Sequence, residues 1–185
     1  VALSACTGPE AEAPTPDPHA LEKGVAAQAA AAAAAAELGS TLKGRLMGAM
    51  KAEGPAGAVA MCAGNASALT VEVGRTHRAK LGRSSLRLRN PDNAGPSWVQ
   101  EWLVAQGERS AEGVQGLSEI VDAEGARSAR LLKPLAVEAP CLVCHGPTPV
   151  PEVAAVLAER YPKDRATGYA VGELRGALWV EVEIE

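Results

Sequence analysis

Toward its C-terminal end the chain carries Cys141-Leu142-Val143-Cys144-His145, and no other feature constrains its fold so sharply. Two thiols three residues apart, followed at once by an imidazole, fit three chemistries. They can form a redox dithiol, supply half a zinc site, or attach a porphyrin through its two vinyl groups with the imidazole on iron. A thioredoxin-like dithiol belongs at a helix start within a βαβ unit, and none is legible around residue 141. A zinc site needs two more ligands at suitable spacing, and none follow. The run therefore points to one c-type haem, covalently bound through Cys141 and Cys144, with His145 as an iron ligand. The chain has three Trp, two Tyr and no Phe, so its core must be built from Ala, Leu and Val. A bulky cofactor could supply the missing volume.

The 185 residues suffice for one domain plus an extension. The net charge of −4 gives no global sign of nucleic-acid binding. One stretch is strongly basic, with Arg75, Arg78, Lys80, Arg83, Arg87 and Arg89 and no acid between them. At the other extreme, Leu3-Ser4-Ala5-Cys6 has the small-residue pattern that precedes a lipidated cysteine in bacterial lipoproteins. It predicts a lipid anchor on Cys6 and a periplasmic or other extracytoplasmic location. Residues 8–20 hold four prolines and read as an extended tether of roughly 40 Å. Residues 1–20 are thus a signal remnant and tether.

Residues 21–53 read as an Ala-rich helix, with Leu38, Leu42, Leu46 and Met50 as its buried stripe. Its smooth surface would allow another helix close approach, and it is too weakly apolar to be expected across a membrane. Gly54-Pro55 breaks it, and a second helix is predicted over 55–69. Residues 84–89 alternate in polarity and predict a strand, 98–106 a helix, and 118–121 with 130–137 a hairpin around Gly125. A short helix over 151–160 and a strand over 177–184 close the chain. The expected class is α+β, an antiparallel sheet with helices packed on it, and residues 54–185 form the haem domain.

His145 leaves the second face of the iron to another ligand. His19 lies in the tether, His77 in the basic stretch, and Met47 and Met50 in a core stripe. Cys62 sits mid-helix among small residues that would admit a flat ring. From spacing alone it reads as a buried thiol as readily as a ligand, with Met61 its rival. Haem propionates need cationic partners, and Arg83, Arg87 and Arg89 suit them, the last two sharing a face of the predicted strand.

Four segments together resemble a known family. They are PAGAVAMCAGNASAL at 55–69, GRSSLRLRNPDNAGPSWVQEWL at 82–103, CLVCHG at 141–146 and YPKDRATGYAVGELRGALWVEV at 161–182. The chain resembles the PAS-like c-type haem proteins long catalogued as a domain of unknown function, whose cyanobacterial prototype ligates haem with a His and a Cys. The resemblance implies a PAS-like sheet cradling the haem and Cys62 as the second axial ligand. The expected activity, read beside the resemblance and not from it, is electron transfer with a redox partner or membrane complex, by a tethered carrier rather than an enzyme. The alternatives are a haem-based redox or gas sensor that signals through a partner, and a disulfide-stapled binding domain.

Overall fold

A computed structural model describes residues 17–185 apart from Arg109 and Glu124, so Cys6, its predicted lipid and most of the tether lie outside the described residues. The first element, α1, runs Pro18–His77 and is interrupted at Gly54. The Asp17 side chain accepts the His19 N–H at its start, and Pro18 occupies the first turn, where no N–H is needed. Gly54 has φ 72 and ψ −174, a conformation open essentially to glycine alone. Pro55 then opens a second arm, and Gly57 faces the Glu53 side chain so closely that a Cβ would collide with it.

The break is a reversal. Glu37 Oε2 and His77 Nε2 lie 2.8 Å apart. At 1.5 Å per residue they stand about 25 and 35 Å from the break along their arms, so the arms run antiparallel as a helical hairpin. The second arm extends to His77, eight residues beyond the predicted Leu69, and ends at Arg78 in the left-handed region, φ 50.

The first arm's buried stripe is Gly24, Ala27, Ala31, Ala34, Ala35 and Leu38, at helical spacing. It packs on Ala129, Leu178, Val180 and Val182 of the sheet. The smooth alanine surface therefore meets the sheet, with Val73 of the second arm in the same cluster. Gly24 lies so close to Ile120 that a Cβ would collide with it. Contrary to the expectation from sequence, α1 includes a window of mean hydropathy 1.2, enough to span a bilayer by length and composition, and 22% of that window is buried within the protein. Leu42 continues the stripe onto the core, while Leu46 and Met50 are only half-buried.

The sheet has four antiparallel strands in the order β1-β4-β3-β2, where β1 is Lys80–Ser84, β2 Leu117–Ala123, β3 Ala126–Ala136 and β4 Leu174–Glu183. The α+β expectation is met. The hairpin closes at Gly125, φ 80, with Ala123 opposite Ala126. On the second face, Val99 and Leu103 of α2, Ser97–Gln106, cover Leu132 and Ala177 beside Trp98, Trp102 and Trp179. All three tryptophans thus serve one layer.

The predicted strand over 84–89 is wrong in place. The strand is Lys80–Ser84, paired with β4 from Lys80 opposite Glu181 to Ser84 opposite Ala177, and residues 85–90 run on as an irregular segment. The shared face argued for Arg87 and Arg89 goes with it. Two short helices lie beyond the sheet, α3 at Leu142–His145 and α4 at Pro151–Arg160.

Candidate functional site

Cys141 ends a single 3-10 turn, Ala139–Cys141, that leads into the one turn of α3. Pro140 and the Glu138 caps shape this turn, and the Glu138 N–H points at Cys141 Sγ, 3.4 Å away. Cys141 and Leu142 pack on Val137, Ala166 and Tyr169. Cys144 packs instead on Val59 of the second α1 arm and on Val153 and Leu157 of α4. The two thiols of the motif thus belong to different apolar clusters on either side of one helical turn.

His145 is held by the irregular segment 164–169. Its Nδ1 donates to the Ala166 carbonyl at 2.6 Å, which fixes the tautomer and leaves Nε2 as the free lone pair. Its own carbonyl accepts the Tyr169 N–H, and the Gly146 carbonyl accepts the Gly168 N–H, both at 2.9 Å. Tyr169 meets the imidazole edge to face, at 6.3 Å between centroids. Burial, then the Arg175 and Arg89 charges, push the His145 imidazolium down to about 3 despite the opposing Ala166 bond. The ring is therefore neutral at ordinary pH, as a metal-binding imidazole must be.

Residues 85–90 form a third strip beside 164–169. The Arg165 N–H donates to the Leu88 carbonyl at 2.9 Å, and Arg87 donates to the Thr167 carbonyl at 3.1 Å. The Arg87 guanidinium also lies over the Tyr169 ring at 3.7 Å and pairs with Glu108 and Glu173. Arg89 pairs with Asp164 and donates to the carbonyls of Cys144 and Ala166. Two of the three arginines expected at propionates are thus engaged within the protein. Arg83 differs: it is largely buried, and among the described residues no hydrogen bond or ion pair involves it. Burial lowers its pKa, against the pull of Cys62 and Tyr161.

Cys62 lies on the second arm of α1, half-buried and free. It interacts electrostatically with Arg83, Arg89, Cys144 and Tyr161, which places it on the side of the motif where Arg83 lies. Burial raises its thiol pKa, while Arg83 and Arg89 act to lower it. Met61 is half-buried on the same arm. His77 is occupied by Glu37, and His19 is an exposed residue at the helix start. Sequence reasoning missed Asp164, Tyr161, Tyr169 and Arg175. The first three lie in the YPKDRATGY stretch, whose two tyrosines were a usable sign in a chain so poor in aromatics.

The donor set suits a haem. Two thiols flank one turn, a neutral imidazole keeps one nitrogen free, a third thiol lies nearby, and a buried guanidinium lacks an acceptor. Cys62, Cys141 and Cys144 are all free thiols, as attachment would require before it occurs. Among the described residues, no group of three or more His, Cys, Asp or Glu lies together as a metal site.

The model of the Tll0287-like family matches residues 16–183. No curated protein matches the chain. A solved structure, the crystal structure of the cyanobacterial heme-protein Tll0287, is 23% identical with a TM-score of 0.58, and the match covers 91% of this chain and 97% of that one. At this identity the likeness is one of fold. The same four segments that carry the resemblance in sequence build the turn of the motif, the irregular segments 85–90 and 164–169, much of the second α1 arm and the last strand, and the chain belongs to the Tll0287-like family.

Proposed function

We propose that this protein is a mono-haem c-type cytochrome that transfers electrons outside the cytoplasm, tethered to a membrane by a lipid on Cys6. Cys141 and Cys144 would form the two thioethers, and His145 and Cys62 would be the axial ligands. The observation that carries the reading is the fixed tautomer of His145, whose Nδ1 is committed to Ala166 and whose Nε2 is left for iron. When bound, haem supplies a one-electron couple. The chain's own residues would do the rest: Cys62 sets a low potential by favouring ferric iron, and Arg83 offers a buried cation to a propionate. The partner would be a redox protein or membrane complex.

Pyridine haemochrome spectra test the covalent haem directly, since a protein without thioether-type bands is not a c-type cytochrome. EPR of the ferric protein beside Cys62→Ala tests the ligand. A thiolate-type low-spin signal lost in the variant supports Cys62, and an unchanged signal transfers the role to Met61 or His77. A second reading, a redox or gas sensor, is favoured by one feature. Burial presses Cys62 toward its neutral form, so reduction would release it and open a coordination site. Ligand exchange on reduction, with CO binding, would select the sensor.

A further inference from the structure

Arg89 makes a set of contacts that haem attachment does not require. Its Nε donates to Asp164 Oδ2 at 3.0 Å, and one terminal nitrogen donates to the Cys144 carbonyl and, at 3.3 Å, to the Ala166 carbonyl. The other oxygen of Asp164 accepts the Ala166 N–H at 2.7 Å. The backbone of residue 166 is therefore held in both of its peptide links, the Ala166 N–H by a carboxylate and the Ala166 C=O, which belongs to the next peptide, by a guanidinium. That same C=O is the acceptor for His145 Nδ1. The Arg89 and Asp164 side chains are 13% and 11% exposed, so water competes little for these bonds.

We infer that Arg89 and Asp164 are positioning residues that act through the Ala166 backbone on His145: together they hold the carbonyl that fixes where its ring proton sits, and Arg89 also sets how strongly that proton is drawn. The inference rests on the reading of His145 as the iron ligand. Hydrogen bonds in a chain polarise one another. A carbonyl already bonded to a cation is a poorer acceptor, so Arg89 weakens the pull on the Nδ1 proton. The Ala166 N–H belongs to the preceding peptide, so Asp164 acts on this carbonyl by holding the backbone and by orienting Arg89. The stronger the pull, the more negative charge the imidazole lends to iron, and the more the ferric state is favoured. Arg89 therefore raises the potential, and Asp164 supports it by holding Arg89 on the carbonyl. The device also accounts for the Arg-Asn-Pro turn. The Asn90 side chain accepts the Asp92 N–H at 3.1 Å, and Pro91 opens the following 3-10 turn, so the backbone behind Arg89 is locked.

The test uses the full chain with ¹⁵N-labelled histidine, which gives only three rings to resolve. Solvent exchange of the His145 Nδ1 proton and the midpoint potential are measured for wild type, Arg89→Lys, Arg89→Gln and Asp164→Asn. Lysine keeps the charge of arginine but lacks its fork. The proton should exchange roughly tenfold faster in all three variants, because a carbonyl that has lost one holding hydrogen bond swings away from the ring more often. The potential should fall in Arg89→Gln by about 59 mV for a tenfold change in ferric over ferrous preference. Arg89→Lys should exchange fast yet hold its potential near wild type. If Arg89→Gln fails to fold, the other two variants carry the comparison. Unchanged exchange in the folded variants overturns the inference, because charge alone would then explain any change in potential. A potential in Arg89→Gln at or above that of wild type overturns it too. A protein without haemochrome bands defeats the proposed function, while the exchange rates still decide on the grip around His145.

Discussion

Acid should unfold the haem-free chain through His145, and the size of the effect follows from the burial of one ring. In the unfolded chain this imidazole has a pKa of 6.5, and in the folded chain it is pushed down to about 3. A base whose pKa is depressed by folding takes up its proton more readily unfolded. Its stability contribution is therefore intact above about pH 6.5, is lost as the pH falls toward 3, and stays lost below that. Between pH 7 and pH 4.5 the unfolded ring gains nearly one proton and the folded ring almost none. The loss is about two pKa units at 1.36 kcal/mol each, or about 3 kcal/mol. For a chain of this size that lowers the melting temperature by roughly 6–12 °C. The assay is thermal unfolding of the chain expressed without haem attachment, at both pH values, beside His145→Gln, which can still donate to Ala166 but does not titrate. Other groups contribute equally to both proteins, so the wild type should lose about 3 kcal/mol more than the variant. Equal acid sensitivity would refute the reasoning, since the ring would then not be buried neutral.

Three further outcomes follow from the fold. Ala34→Leu should cost about 1–3 kcal/mol in chemical denaturation by overpacking a fully buried site, while Ala33→Leu on the exposed side should change stability little. Gly54→Ala should cost about 1–3 kcal/mol, read in the same way, because its φ of 72 with ψ −174 suits only glycine. Lys80→Ala should shift stability by less than about 1 kcal/mol, because the Lys80 side chain is 79% exposed and its contact with Glu181 spans 3.9 Å.

The sequence was readable where local chemistry decides the structure. Pro151 at a first helical position, with Val153, Val156 and Leu157 behind it, placed α4 at its observed bounds. The alternation of Leu178, Val180 and Val182 with Trp179, Glu181 and Glu183 placed the last strand, although it begins earlier, at Leu174. The first strand was missed for a tertiary reason. Gly82 lies beneath Trp179, where a Cβ would come within 2.9 Å of the indole nitrogen, and glycine conceals strand propensity. Residues 84–89 then imitated a strand, yet Leu86 packs toward α2 and the Leu88 carbonyl bonds to Arg165, a partner far along the chain. Gly54-Pro55 announced a break but not its direction, which depends on contacts such as that between Glu37 and His77. At the site, the motif named Cys141, Cys144 and His145 outright. Asp164 and Arg175 gave no local sign, because their roles arise from strips brought together from opposite ends of the domain.

The two sides of the site differ in stiffness. His145 is stitched into its surroundings by directional bonds through its ring, its own carbonyl and the neighbouring Gly146 carbonyl. Cys62 rides on the free-running arm of a helical hairpin, fastened near that point by the side-on packing of Val59 against Val153 and Leu157. Apolar packing has no preferred direction and yields to sliding, whereas a lattice of hydrogen bonds resists it. A force on this site, from a docked protein or from a change of charge at its centre, would therefore be converted into movement of the second arm alone. That arm runs to His77 and joins the edge strand β1 directly, so its displacement would emerge at the rim of the sheet, far from where the charge changed.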